Sequence, residues 1–492
     1  VILAPRWSLL LPRLVQAGLL LLLTPAAGAQ DKVIQGVGMP DTGTIPSGVQ
    51  VVLDGHKVAD DAYTLYVQEV GSATPLLAVN AGLPLNPAST MKTLTTLAAL
   101  EVLGPNYTWY TEIHALGTIT DGTLEGDLLI KGGADPFLVE EYFRNMLKAL
   151  HRRGVQRISG DLLIDASLFD PSVSAQPLID NDSNRSYNVL PHALAVNFQT
   201  VNFYFYPHQN GRDVVVAADP VLPNLQIDNQ LRLQQSACTG FQRGVAFRED
   251  AARSTVIFSG QYPARCSEYS LARTVLDAPN YAFGLFRKLW AEIGGEFAGG
   301  LRLELAPAER EPLVTWASPP LGDVIKSINK YSNNMMTRQL LLTLAFERFG
   351  KPATVENGIL AVREYLDSHG IDHSTMVMVN GAGLGRQVRL TSAMLNQVLQ
   401  RGHTISLMPE FVASLPVGGI DGTMRNRRLT GGAQGNMHIK TGSLDGVAAI
   451  AGYVHARSGK DYVVIAMLNQ PQADTGPGQE LGDALLSWVY QQ

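Results

Sequence analysis

Three short motifs lie far apart in the chain, and a fold that lets them act together has to bring them to one place. Ser89-Thr90-Met91-Lys92 is an S-x-x-K, Ser332-Asn333-Asn334 an S-x-N, and Lys440-Thr441-Gly442 the only K-T-G. On a helix, residues three apart share a face, so Lys92 Nζ can reach Ser89 Oγ. A serine hydroxyl is a poor nucleophile until a base removes its proton. Lysine can be that base when burial or neighbouring positive charge lowers its pKa. Each motif alone is weak, because Ser327-Ile328-Asn329-Lys330 is a second S-x-x-K and Ser186-Tyr187-Asn188 a second S-x-N. Tyr331-Ser332-Asn333 can also be read as a Y-x-N. Ser332 and Asn334 are preferred because a strong helical pattern follows at once, whereas Ser186 sits among Asn, Asp and Ser. Lys440 precedes two strand patterns, which suits a sheet edge.

The hydrophobic pattern supplies such a sheet. Tyr63 to Val67 and Pro75 to Val79 read as a hairpin, and a helix is expected from about Ser89 to the Gly104-Pro105 stop. Near the C-terminus, His438 to Lys440, Val447 to Val454 and Tyr462 to Met467 read as strands, followed by a helix over about 480–490. These five strands make one antiparallel sheet with helices on its faces, an α+β architecture. Between about 110 and 277 short β-like runs alternate with Gly, Asp, Asn and Pro turns. Two of them share Gly-Asp-Leu-Leu-Ile, at 126–130 and 160–164, and one helix is expected at about 139–152. The expected division is therefore a catalytic part over 30–110 and 278–492, and a mostly-β insertion of one or two domains over 111–277.

A chain of 492 residues suits two or three domains. With 38 basic against 44 acidic residues and no Lys/Arg block, it lacks the footprint of a nucleic-acid binder. Arg6 and Arg13, the apolar Leu19 to Leu23 and the small-residue end Ala27-Gly28-Ala29 form a secretory signal peptide over 1–29. Pro12, Arg13 and Gln16 interrupt anything long enough for an anchor. The mature chain is expected outside the cytoplasm, where the two cysteines, Cys238 and Cys266, become a disulfide candidate inside the insertion. HExxH, CxxC, GxSxG, P-loop and GxGxxG patterns are all missing, so no metal or organic cofactor is expected.

S-x-x-K, S-x-N and K-T-G in that order are the serine acyl-transferase set of penicillin-binding proteins and β-lactamases. The chain resembles the class C low-molecular-mass penicillin-binding proteins, D-alanyl-D-alanine carboxypeptidase/endopeptidases of the penicillin-binding protein 4 type. The resemblance extends through Leu85 to Thr90, Gly132-Gly133-Ala134-Asp135-Pro136, Gly381 to Arg386, Leu415 to Thr423 and Lys440 to Leu444. Ala382 and Gly385 depart from it, since the family typically has Ser there. It implies a β-lactamase/transpeptidase-like catalytic domain with a long insertion between the first two motifs, here 243 positions apart. A class A β-lactamase has no such insertion.

The resemblance also implies roles. Ser89 is the nucleophile, Lys92 its base, Ser332 a proton relay, and Asn334 a group that holds substrate and orients Lys92. Lys440 and Thr441 receive the terminal carboxylate, and Gly442 and Ser443 continue the substrate-binding strand. The backbone N–H groups of Ser89 and Ser443 form the oxyanion hole. The implied partners are peptidoglycan stem peptides, β-lactam antibiotics as covalent inhibitors, and other cell-wall enzymes; the implied location is the periplasm. In this family the insertion helps read the free end of a diaminopimelate side chain, for which Asp182 and Arg386 are the candidates. The family's aromatic neighbours are missing around Asp182. The alternatives are a catalytically silent cell-wall-binding protein of the same fold, or a β-lactamase.

Overall fold

The computed structural model describes residues 41–250, 253–307, 310–429 and 431–492. The expected signal peptide, 1–29, lies outside the described residues. No helix among them is long and apolar enough to cross a membrane.

Five strands form the antiparallel sheet: β1 Tyr63–Glu69, β2 Leu77–Val79, β3 Met437–Leu444, β4 Val447–His455 and β5 Asp461–Asn469, in the order β3-β4-β5-β1-β2. Alternation along β5 explains why this sheet is buried on both faces. Val463, Ile465 and Met467 point into one core with the helices α1 (Met91–Leu103), α2 (Leu321–Tyr331) and α3 (Asn334–Phe349). Val464, Ala466 and Leu468 point into the other, against Leu481, Leu485 and Leu486 of α4 (Pro477–Tyr490). Strand β3 stands at the free edge, so half of its backbone groups face outward.

The sheet of the insertion contains seven strands and begins with the hairpin Tyr110–Thr120 and Thr123–Lys131. The two Gly-Asp-Leu-Leu-Ile copies lie side by side, with Leu128 opposite Leu162 and Ile130 opposite Ile164 in parallel register. All four side chains enter a core built also from helices Glu140–Arg152 and Ala278–Glu292. Two three-stranded sheets follow, around Val201–Pro207 and Thr255–Pro263, and Phe203 and Phe205 each pack edge-on against Phe258. Cys238 and Cys266 form a disulfide beside these strands, a closure worth roughly 3–4 kcal/mol on chain-entropy grounds. Sequence patterning drew the end of the insertion at 277. Leu301–Leu303 and Val314–Ala317 nevertheless pair with its first sheet, and helix Ala278–Glu292 fills its core, so its architecture runs on to Ala317.

Candidate active site

Ser89 sits in a single 3-10 turn, Ala88–Thr90, at the entry to α1. Ala88 is held at φ 44°, a region few non-glycine residues occupy. Asn86 keeps it there: Oδ1 accepts from the Ala88 N–H at 2.9 Å, while Nδ2 donates to the Gly385 carbonyl at 2.9 Å. One turn on from Ser89, at the second residue of α1, Lys92 is wholly buried. Its Nζ lies 2.9 Å from Ser89 Oγ, 2.6 Å from Asn334 Oδ1 and 2.7 Å from the Ala382 carbonyl. Burial first, then the positive charges of Lys440 and Arg338, hold this amine well below its ordinary pKa. A neutral amine has two N–H donors and one lone pair. Asn334 Oδ1 and the Ala382 carbonyl can only accept, so they take the donors and leave the lone pair facing the Ser89 hydroxyl. That is the geometry of a general base.

The S-x-N motif occupies the joint between α2 and α3. The helix expected near Ser332 begins at Asn334, with Asn333 as its N-cap accepting from the Met336 N–H, and Ser332 is also the left-handed cap of the preceding α2, at φ 55°. This break aims both Ser332 Oγ and the Asn334 carboxamide at the cleft. Lys440 Nζ donates to Ser332 Oγ at 2.9 Å and to the Thr441 carbonyl at 2.7 Å. Burial lowers its pKa to about 7. The decoy Lys330 is an ion pair with Asp421 at 2.7 Å.

Register decides which way the edge strand presents its amides. The His455 N–H bonds the Asn436 carbonyl, and the Ile439 N–H turns outward to the Pro416 carbonyl. Alternation then turns the Thr441 and Ser443 N–H groups outward too, away from the neighbouring strand. Gly442 permits the approach. A Cβ there would stand 2.6 Å from the Pro87 carbonyl oxygen and 2.9 Å from the Ser89 nitrogen. Thr441 Oγ1 is held by Thr423 Oγ1 at 2.7 Å.

Two participants carried no sequence signal. Asn334 Nδ2 donates to the Tyr187 carbonyl at 3.1 Å, which locks the amide so that Oδ1 faces Lys92. The second S-x-N, at 186–188, thus reaches the site through its backbone. Arg338, one turn beyond Asn334, is buried without a carboxylate partner among the described residues and donates to the Val189 carbonyl at 2.9 Å. It anchors the same loop and adds positive field at Lys92. A buried arginine was the available clue, but burial is not visible in a single sequence.

The proposed side-chain reader is rearranged. Asp182 Oδ2 accepts from Arg185 Nε at 2.8 Å and its Oδ1 from the Asn184 N–H, so it folds back on its own loop. The acid beside Arg386 is Asp180, at 3.0 Å, brought outward by a left-handed turn at φ 55°. Arg386 also donates to the Asp445 carbonyl at 2.5 Å. Ile179, Ala382, Leu384 and Leu444 pack beneath these charges and join the insertion to the substrate strand.

A serine with a buried lysine base at a helix entry, set against an edge strand of an antiparallel sheet, defines the active-site-serine class that penicillins recognise. Within that class the chain belongs to the D-Ala-D-Ala carboxypeptidase 3 (S13) family, whose sequence model matches residues 48–491, and it is a serine-type D-Ala-D-Ala carboxypeptidase. It is 26% identical over 388 residues to the D-alanyl-D-alanine carboxypeptidase DacB of Haemophilus influenzae, covering 78% of this chain and 80% of that protein. It is 26% identical over 443 residues to the D-alanyl-D-alanine carboxypeptidase of Actinomadura sp. strain R39, covering 87% and 81%. The fold matches the crystal structure of penicillin binding protein 4 from Haemophilus influenzae, with TM-score 0.76 and 23% identity over 90% of this chain and 99% of that one. A complex of that protein with a β-lactam matches with TM-score 0.73 and 22% identity, again over 90% and 99%.

Proposed function

We propose that the chain is a periplasmic D-Ala-D-Ala carboxypeptidase and endopeptidase that hydrolyses peptidoglycan stem peptides and cross-links through an acyl-enzyme on Ser89. The observation that carries this reading is Lys92 Nζ, buried and lowered in pKa, within hydrogen-bond distance of Ser89 Oγ. The Ser89 proton passes to the lysine lone pair as Oγ bonds the carbonyl carbon of the penultimate D-alanine. Negative charge collects on the carbonyl oxygen, facing the backbone N–H groups of Ser89 and Ser443. Collapse breaks the C–N bond, and the proton reaches the leaving amine by way of Ser332. Lys440, while charged, attracts the terminal carboxylate and holds Ser332 in place. Water then attacks the ester, giving a proton to Lys92, which passes it to Ser89 Oγ as the ester C–O bond breaks. A β-lactam enters by the same first step, and its ring nitrogen stays tethered to the acyl group. The basic, apolar and small-residue pattern of residues 1–29 supports export to the periplasm.

The test is intact-mass measurement after incubation with penicillin. One adduct per chain is expected, mapping to a peptide that contains Ser89. An adduct that persists in Ser89→Ala overturns the assignment.

A further inference from the structure

Strand Gln226–Gln234 of the insertion lies at an edge of its three-stranded sheet, in parallel register with Thr255–Pro263. An edge strand carries unpaired backbone groups, and proteins usually keep such strands short. Apart from the catalytic strand β3, every other edge strand among the described residues has six residues or fewer. This one has nine, of which only Leu231 is buried. The Gln226 N–H donates to the Ser254 carbonyl and the Gln234 carbonyl accepts from the Ala264 N–H, so the even-numbered residues direct their backbone groups at the neighbouring strand. Alternation turns those of Ile227, Asn229, Leu231 and Leu233 outward. The Leu231 N–H meets Asn229 Oδ1 of its own strand at 3.2 Å. Just past the strand, the Cys238–Cys266 disulfide ties its exit to that of Thr255–Pro263, so the edge is held in shape before anything binds.

The strand reads Gln-Ile-Asp-Asn-Gln-Leu-Arg-Leu-Gln, and its two halves answer each other about Gln230. Asp228 lies as far before that centre as Arg232 lies after it, and Ile227 as far before as Leu233 after. Asp228 accepts from Gln230 Nε2 at 2.6 Å, and neither Asp228 nor Arg232 has an oppositely charged partner among the described residues. Two such strands laid antiparallel about a two-fold axis at Gln230 set Asp228 of each against Arg232 of the other, and Ile227 against Leu233. The outward residues then face one another, as an antiparallel ladder requires. An axis at 228 or 232 opposes like charges, and an axis at 229 or 231 leaves both charges without a partner. We propose that Gln226–Gln234 is an interaction surface for a second copy of this chain, paired antiparallel about Gln230. In the pair, the Leu231 N–H exchanges Asn229 Oδ1 for the Asn229 carbonyl of the second copy. The contact is self-complementary, as a two-fold interface must be.

The experiment is sedimentation velocity on the full chain, from micromolar to near-millimolar concentration, with thermal melting to show that each variant is folded. The parent is expected to form a reversible dimer. Asp228→Arg and Arg232→Asp each oppose like charges across the axis and are expected to raise the dimer Kd at least tenfold. The double variant Asp228→Arg/Arg232→Asp restores the opposite charges and is expected to restore the dimer. Ile227→Pro removes an outward N–H while leaving the ladder to Thr255–Pro263 intact, and it too is expected to dissociate the pair. A parent that stays monomeric throughout the series overturns the proposal, as does a dimer that none of these changes weakens. Single variants that dissociate with no rescue in the double variant also overturn it. The Ser89 adduct is read separately, so the failure of either conclusion leaves the other standing.

Discussion

Lys440 Nζ rests 2.9 Å from Ser332 Oγ across 108 residues of chain, wholly buried and, among the described residues, with no carboxylate as a hydrogen-bond partner. Burial brings its pKa to about 7, so near neutrality the charge that attracts a substrate carboxylate is only partly present.

In the free enzyme kcat/KM toward D-Ala-D-Ala peptides is therefore expected to fall as pH rises through about 7. A bound carboxylate favours the charged amine, which moves the corresponding limb of kcat to higher pH. Lys440→Ala removes the limb and costs about 1.5–3 kcal/mol of transition-state binding, the scale of a charge-assisted hydrogen bond. Stopped-flow pH profiles of kcat and kcat/KM check this, and coincident alkaline limbs would contradict it.

Arg338 acts at a distance from substrate. Its guanidinium contributes positive field at Lys92 and its bond to the Val189 carbonyl anchors the loop whose Tyr187 carbonyl orients Asn334. Arg338→Met raises the Lys92 pKa, so the acid limb of penicillin acylation moves to higher pH. On that limb the rate drops roughly tenfold for each pH unit the limb moves. Arg338→Lys restores much of that position by keeping the charge. A Met variant with a lower rate but an unmoved limb makes Arg338 purely structural.

Gly442 tests the close approach of strand and nucleophile. In Gly442→Ala the new methyl meets backbone at Pro87 and Ser89, at 2.6 and 2.9 Å. Backbone cannot yield as a side-chain tip does, so the edge strand is expected to move away, with about 1–3 kcal/mol lost in stability. Acylation should slow more than tenfold while the melt remains cooperative. Parent-like acylation would show that the oxyanion geometry does not depend on this contact.

Arg386 and Asp182 are expected to separate. Arg386→Ala slows peptides with a free diaminopimelate end more than peptides lacking it, because a guanidinium binds a carboxylate by paired hydrogen bonds. Asp182→Ala releases Arg185 and the Asn184 N–H and loosens the 179–188 loop, so both peptides slow alike. Asp180→Ala removes one of the two carboxylates near Arg386, leaving Asp445 at 3.8 Å, and strengthens binding of the side-chain carboxylate. KM values for the two peptides decide among these, and selective loss in Asp182→Ala would return Asp182 to the subsite.

The residues whose side chains form the Ser–Lys–Asn cluster were legible in the linear chain, because acyl transfer demands particular residue types at helical and strand spacing. Ser89, Lys92, Ser332, Asn334 and Lys440 meet as their motif order implied, and the five-strand sheet follows from apolar runs buried on both faces. Tertiary structure alone decided the rest. Tyr187 takes part through a carbonyl that every residue possesses, so its identity carries no signal. Arg338 matters because packing removes it from water, and only the fold sets burial. Asp180 displaces Asp182 at Arg386 because two successive left-handed residues, Asp180 and Asn181, reverse which of two neighbouring carboxylates faces outward. The strands at 301–303 and 314–317 are short, and their membership in the insertion is set by partners more than a hundred residues away. Local chemistry names the reacting groups; long-range backbone contact fixes what holds them and what they face.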